Sequence, residues 1–218
     1  MEAFMQDKFK KALKLRIIPV VAIHDAGHAD NLADALIAGG LPCAEITFRT
    51  DAAAKAIKKI ATKDEMIVGA GTVLKIEQVK QAVDCGACFI VSPGFSPTVV
   101  RYCVENDIPV TPGISTPTDI QIAYEFGLEI VKFFPAEAFG GLKTLEALSA
   151  PYQMMKFIPT GGIGPQNVLE YLKHPKVPAC GGSWMVKSNL IVNQQFDEIT
   201  RLSREAMELA KKAGEASG

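Results

Sequence analysis

The chain has 218 residues, enough to bury one sizeable core and short for two, and no stretch reads as a linker, so one domain over residues 1–218 is expected. With 48% hydrophobic and 22% charged residues and a formal net charge of −1, its surface offers no electrostatic reason to bind nucleic acid or an anionic membrane. Five cysteines, an odd number without the paired spacing of a metal site or a disulfide framework, fit a reduced, cytoplasmic setting. Cys85 and Cys88 do form one C-x-x-C, but no second pair stands at ligand spacing and Cys88 opens an apolar strand.

Residues 4–15 carry Phe4, Met5, Phe9, Ala12 and Leu13 near helical spacing, which predicts an N-terminal helix capping one end of the fold. Basic residues between Lys8 and Arg16 precede an apolar run at 17–23, the arrangement of a secretory signal. That run is only seven residues long and contains Pro19, so it reads as a first strand instead. No stretch approaches the roughly 18 apolar residues of a membrane span.

From there, short runs rich in β-branched residues alternate with amphipathic segments, the pattern of repeated βα units. The predicted strands are 16–23, 43–49, 66–73, 88–94, 109–114, 129–135, 156–163 and 179–185. Helices are predicted at 52–62 behind Asp51, 98–106 behind Ser96-Pro97, 118–126 behind Thr116-Pro117, and 166–172 behind Pro165. Gly39-Gly40, Gly86 and Gly127 stand where helices must turn back toward the next strand.

A doubly wound sheet would alternate in the same way. The polar residues separate the two, because Glu45, Thr47, Arg49, Thr72, Lys132, Thr160 and Ser183 all fall in or just past the later half of their strands. A barrel gathers its active site at that face. The expected fold is therefore α/β: a single (β/α)8 TIM barrel with an additional N-terminal helix.

Lys132 stands in the middle of an otherwise apolar strand, where an ammonium loses hydration unless it is paired or neutralised. Alternation puts Ile130, Lys132 and Phe134 on one face and Val131 and Phe133 on the other. The second pair suits a sheet-to-helix interface, so Lys132 points inward. An amine in such a pocket can lose its proton near neutral pH and attack a carbonyl carbon to form a Schiff base. Glu45, Thr47 and Arg49 share one face of the second strand by the same period. Glu45 and Lys132 read either as a buried structural ion pair or as a proton shuttle beside a nucleophile, with Arg49 available to hold a carboxylate.

Gly161-Gly162 and Gly181-Gly182 fall in the loops after the seventh and eighth strands. Each pair alone suits any tight turn. Together they suit a barrel phosphate site, where backbone N–H groups approach the anion and a following helix N-terminus adds positive charge.

Six ordered motifs carry a family resemblance: Glu-Ile-Thr-Phe-Arg-Thr at 45–50, Gly-Ala-Gly-Thr-Val at 69–73, Ser-Pro-Gly at 92–94, Val-Lys-Phe-Phe-Pro-Ala at 131–136, Pro-Thr-Gly-Gly-Ile at 159–163 and Gly-Gly-Ser-Trp at 181–184. The chain resembles, over nearly its whole length, the 2-keto-3-deoxy-6-phosphogluconate (KDPG) aldolases, which also act on 4-hydroxy-2-oxoglutarate (KHG). The resemblance implies Lys132 as the Schiff-base nucleophile and Glu45 as general acid and base. It implies Arg49 and Thr72 on the pyruvate carboxylate, with Pro93 and Phe134 lining that pocket. Gly161, Gly162, Gly182 and Ser183 would take the phosphate, and Thr160 would bear on stereochemistry at C4, leaning toward the gluconate substrate. It further implies a homotrimer, and a mechanism without cofactor or metal whose partners are a small 2-keto acid and a sugar phosphate. Ile46 and Phe48 stand where many relatives carry other apolar residues, and both are expected to face away from the site.

Three rivals remain open on the residues alone. One is another sugar-phosphate barrel enzyme, an epimerase or synthase that forms no imine. A metal-dependent lyase is opposed by the scattered placement of His24, His28 and His174. A non-catalytic phosphate-binding protein would have no use for an inward lysine and glutamate together.

Overall fold

The computed structural model describes residues 2–215. Helix α1 (Glu2–Lys14) opens it, with Met5, Phe9 and Ala12 buried along one stripe at i, i+4 and i+7. The strands follow as β1 (Ile17–Val21), β2 (Cys43–Thr47), β3 (Ile67–Gly71), β4 (Ile90–Val91), β5 (Val110–Thr111), β6 (Gly113–Ile114), β7 (Ile130–Phe133), β8 (Lys156–Pro159) and β9 (Cys180–Gly182). Between them run α2 (Ala29–Ala38), α3 (Ala53–Ile60), α4 (Ile76–Asp84), α5 (Pro97–Glu105), α6 (Pro117–Glu125), α7 (Gly141–Ser149) and α8 (Val168–Lys173); α9 (Ser188–Val192) and α10 (Phe196–Glu215) close the described chain. No helix among the described residues is long and apolar enough to cross a membrane.

The α/β alternation and the parallel pairing are as expected, but the single closed eight-stranded TIM barrel is not what forms. The strands make a six-stranded parallel half-barrel sheet, ordered β5-β4-β3-β2-β1-β9, and a separate three-stranded sheet, ordered β6-β7-β8. The expected fifth strand, 109–114, is cut at Pro112, which has no N–H to give a ladder. Its first half pairs with β4 and its second half with β7. On the other side, β8 and β9 meet only through an isolated bridge between Thr160 and Gly181. The ladder stops there because the next two residues, Gly161 and Gly162, turn into the left-handed region at φ +95° and +80°.

The two sheets nevertheless face a shared interior. Ile18, Cys43, Ile67, Phe89 and Ile158 project into it and pack with Phe9 and Ala12 of α1, which closes the end at which the strands begin. The Phe9 and Phe89 rings lie 5.4 Å apart, centroid to centroid. The alternate positions, among them Ile46, Val68, Ile90, Val131 and Phe133, belong to the larger core under the helices. Strand parity thus sorts residues between the cores as the sequence pattern predicts.

Two of the four expected helix starts carry a side-chain cap and two do not. Ser96 accepts the Val99 N–H at the start of α5, and Thr116 forms a reciprocal capping box with Asp119 at the start of α6. Asp51 does not cap α3, whose N-cap is Ala52, and α8 begins at Val168 rather than 166. Gly40, Gly86 and Gly127 are left-handed as expected. Gly39 is needed for close packing instead, since a Cβ there would lie 2.5 Å from Cβ of Ser203 on α10.

Gly69 illustrates how tightly the interior is filled: a Cβ there would come within 2.2 Å of the Phe89 ring. Gly69→Ala is expected to destabilise the protein by about 1–3 kcal/mol through overpacking. Chemical denaturation checks this, and an unchanged midpoint would show that the Phe89 ring yields freely.

Candidate active site

Glu45 on β2 and Lys132 on β7 meet across the interior, one from each sheet. They are 3% and 6% exposed, and Lys132 Nζ lies 3.4 Å from Glu45 Oε1. Within its own sheet Glu45 is level with Val20 and Gly69, and Lys132 with Gly113 and Ile158. Space for the carboxylate comes from Gly71, where a Cβ would approach Glu45 Oε1 to 2.2 Å. Lys132 Nζ also stands 5.2 Å from the centroid of the Phe134 ring.

Arg49 lies past the end of β2, in the turn that follows Thr47, and not in the strand. Its Nε–H donates to Thr47 Oγ1 at 3.1 Å, while the Thr47 hydroxyl donates to the Val21 carbonyl at 2.7 Å. Thr47 was legible as an inward polar residue, but its part in orienting Arg49 was not. Thr72, immediately after β3, has φ +56°. A β-branched residue in the left-handed region carries strain of about 1–2 kcal/mol, and such outliers gather at functional sites. Pro93 follows β4, and its carbonyl presses so close to β6 that a Cβ on Gly113 would sit 2.0 Å from it.

Gly161 and Gly162 form a turn past β8, whereas Gly181 and Gly182, expected in a loop, are still in β9 and pair with Ile18 and Pro19 of β1; the two segments lie side by side because Thr160 bridges Gly181. Gly161 and Gly162 follow one partner, Gly182 and Ser183 the other. Asn167 fastens the Gly161-Gly162 turn, donating to the Gly162 carbonyl at 3.1 Å and accepting the Gly164 N–H at 2.9 Å. Beneath it, the Glu137 N–H donates to the Gly161 carbonyl at 3.1 Å, and the Tyr171 hydroxyl donates to the Glu137 carboxylate. Burial first, and then the Glu137 carboxylate, push the Tyr171 hydroxyl well above the usual phenol range, so it stays a donor. Asn167, Glu137 and Tyr171 were all missed. Only Glu137 had a nearby signal, as the residue directly after the Val-Lys-Phe-Phe-Pro-Ala motif. The helix N-terminus expected behind this turn is also displaced: residues 164–167 form a turn, and α8 has only six residues.

Other nucleophiles and ligands fit poorly. All five cysteines are free, and burial raises the thiols of Cys43, Cys103 and Cys180, Cys103 to about 12. Among the described residues no three of His, Cys, Asp and Glu gather so that they could hold a metal ion. His28 packs near Phe196, and His174 Nδ1 accepts the Lys176 N–H at 3.2 Å.

Residues 7–202 match the family model described as KDPG and KHG aldolase. A 2-dehydro-3-deoxy-phosphogluconate aldolase of Treponema pallidum (strain Nichols) is 47% identical over 202 residues, covering 92% of this chain and 96% of the relative. The KDPG aldolase of Zymomonas mobilis ZM4, solved with 3-phosphoglycerate, superposes with a TM-score of 0.87 at 36% identity, covering 94% of this chain and 97% of that one. The KDPG aldolase of Legionella pneumophila, with pyruvate captured as a covalent carbinolamine, superposes with a TM-score of 0.86 at 37% identity, covering 89% of this chain and 96% of that one. Parallel strands with a buried amine and carboxylate between them, together with these likenesses, define the class: the protein is an aldolase, a carbon–carbon lyase. More narrowly, the chain belongs to the KDPG and KHG aldolase family.

Because Gly71 makes room for the Glu45 carboxylate, Gly71→Ala is expected to lower aldolase kcat by about 100-fold, the scale of a misplaced group near the reacting atoms. Steady-state kinetics on protein shown to be folded by circular dichroism check this. An unchanged kcat would mean that Gly71 does not set the position of Glu45.

Proposed function

We propose that the protein is a metal-independent, Schiff-base-forming (class I) aldolase that cleaves KDPG to pyruvate and glyceraldehyde 3-phosphate, and also KHG to pyruvate and glyoxylate. The observation that carries this reading is the buried amine of Lys132 within 3.4 Å of the Glu45 carboxylate, at a point reached from both sheets. The carbinolamine captured in the Legionella pneumophila aldolase supports a lysine adduct with a 2-keto acid.

In this reading, the neutral amine of Lys132 attacks the C2 ketone. Water leaves, and the iminium that forms draws electrons from the bond between C3 and C4. Glu45 takes the proton of the C4 hydroxyl, directly or through a water, as that bond breaks and the aldehyde departs. The remaining enamine is protonated at C3, and hydrolysis returns pyruvate and the free lysine. Arg49, its Nε held by Thr47, offers its Nη donors to the pyruvate carboxylate together with Thr72. Pro93 and Phe134 form walls of the same pocket. Gly161, Gly162, Gly182 and Ser183 receive the phosphate, the turn past β8 and the end of β9 being adjacent through the Thr160–Gly181 bridge. The 3-phosphoglycerate in the Zymomonas mobilis aldolase supports a phosphate-bearing ligand, and Thr160 bears on the C4 configuration.

Assembly as a homotrimer belongs to this proposal, with light scattering expected to give three times 23.4 kDa. So does a cytoplasmic location, which the five free cysteines support.

Borohydride reduction in the presence of pyruvate tests the chemistry. The peptide containing Lys132 is expected to gain the mass of the reduced adduct, and Lys132→Met to abolish both trapping and turnover. An unmodified Lys132 peptide in active protein would overturn the imine mechanism in favour of a barrel-type epimerase or synthase. Glu45→Gln is expected to lower kcat by about 100- to 10,000-fold, the usual range for a general acid–base group, while pyruvate is still trapped. Arg49→Ala is expected to raise KM at least tenfold, through loss of about 1.5–3 kcal/mol of charged hydrogen bonding. Activity should survive exhaustive chelation; its loss would contradict the metal-independent reading.

A further inference from the structure

Between the sheets, on the side of Lys132 toward α1, lies a cavity of about 10 Å3 lined by Glu45, Thr111, Lys132 and Thr160 together with Phe89 and Ile158. That volume is about one water-sized sphere. Thr111 is on β5, level with Val91, and only 1% exposed. Its hydroxyl has no hydrogen-bond partner among the described residues. A buried hydroxyl without a partner is costly, so an orphan of this kind calls for an explanation.

The other polar groups of the cavity are also under-used. Thr160 Oγ1 reaches only the Ile158 carbonyl, at 3.5 Å, and Lys132 Nζ meets Glu45 at the long distance of 3.4 Å. A water held here would find the 2–4 polar partners that a buried water needs among Thr111, Lys132, Glu45 and Thr160. The apolar remainder of the lining leaves it little freedom to turn.

We propose that Thr111 is a positioning residue: its hydroxyl anchors one water in this cavity, and the water hydrogen-bonds the Lys132 amine and the Glu45 carboxylate from the side opposite the Gly161-Gly162 turn. The water makes and breaks no covalent bond. It holds Nζ from behind, so that the amine faces a carbonyl carbon arriving from the open ends of the strands. The inference rests on Lys132 as the imine-forming amine, a reading with its own borohydride test.

Two experiments decide it. The first measures the rate of pyruvate trapping by cyanoborohydride in wild type, Thr111→Val and Thr111→Ser, beside KM for pyruvate. Valine keeps the shape and removes the hydroxyl; it is expected to slow trapping about tenfold while KM stays within about twofold, and serine to restore the rate to within about threefold. A purely structural role would lower Tm and leave trapping per folded molecule unchanged. The second is a high-resolution crystal structure of the wild type, expected to show a water within hydrogen-bond distance of Thr111 Oγ1 and Lys132 Nζ. Should valine fail to fold, serine and the wild-type crystal still decide. Wild type that traps pyruvate beside a Thr111→Val protein that traps equally fast overturns the positioning role alone. Wild type that never traps pyruvate overturns the Lys132 reading and this inference with it. A crystal with no density in the cavity and the Thr111 hydroxyl turned onto a backbone carbonyl overturns the water.

Discussion

The burial of Lys132 against Glu45 is the constraint around which the rest of the interior is arranged. Two charges taken out of water each lose several kcal/mol of hydration, and their mutual attraction repays this only in good geometry. Here the contact is 3.4 Å long and both side chains are almost fully covered. Apolar residues of similar size would serve the fold at least as well. The pair therefore reads as a site that the fold accommodates, and less as a bond that holds it together.

That accommodation is visible in the neighbours. β2 and β3 pair tightly along five registered positions, and the glycines of β3 clear space on the inner face, Gly69 for Phe89 and Gly71 for Glu45. Phe9 of α1 packs on Phe89, closing the interior on the side of Glu45 and Lys132 toward α1. The splitting of the sheets has its own logic. Pro112 ends one ladder, and the next begins at Gly113, level with Lys132. On the other side, β8 gives way to the Gly161-Gly162 turn after Thr160, while β9 runs on to Gly182 beside β1.

Much of this was legible from residue type and parity. A lysine flanked by apolar residues, with Val131 and Phe133 suited to a helix interface, must point inward by parity alone, and Glu45 follows by the same period. The expected strands overlap the observed ones but run longer, since hydrophobic runs continue past the last ladder bond into the turns that carry Arg49, Thr72 and Pro93. Closure is not legible in the sequence, because periodicity reports what a strand buries, not which neighbour it bonds; one proline redirects the fifth strand. Long-range supports left no local trace. The Tyr171 to Glu137 bond spans 34 positions, and the Thr111 hydroxyl acquires meaning only from the residues that surround its cavity.

The central claim is that Lys132 and Glu45 act on the same substrate from opposite sheets. A crystal structure of the protein reacted with pyruvate tests it most directly. The account predicts continuous density from Lys132 Nζ to C2, with the Glu45 carboxylate within hydrogen-bond distance of the adduct or of a water upon it, and the pyruvate carboxylate at Arg49. Pyruvate bound without a bond to Lys132, or an adduct from which Glu45 is turned away, would contradict it.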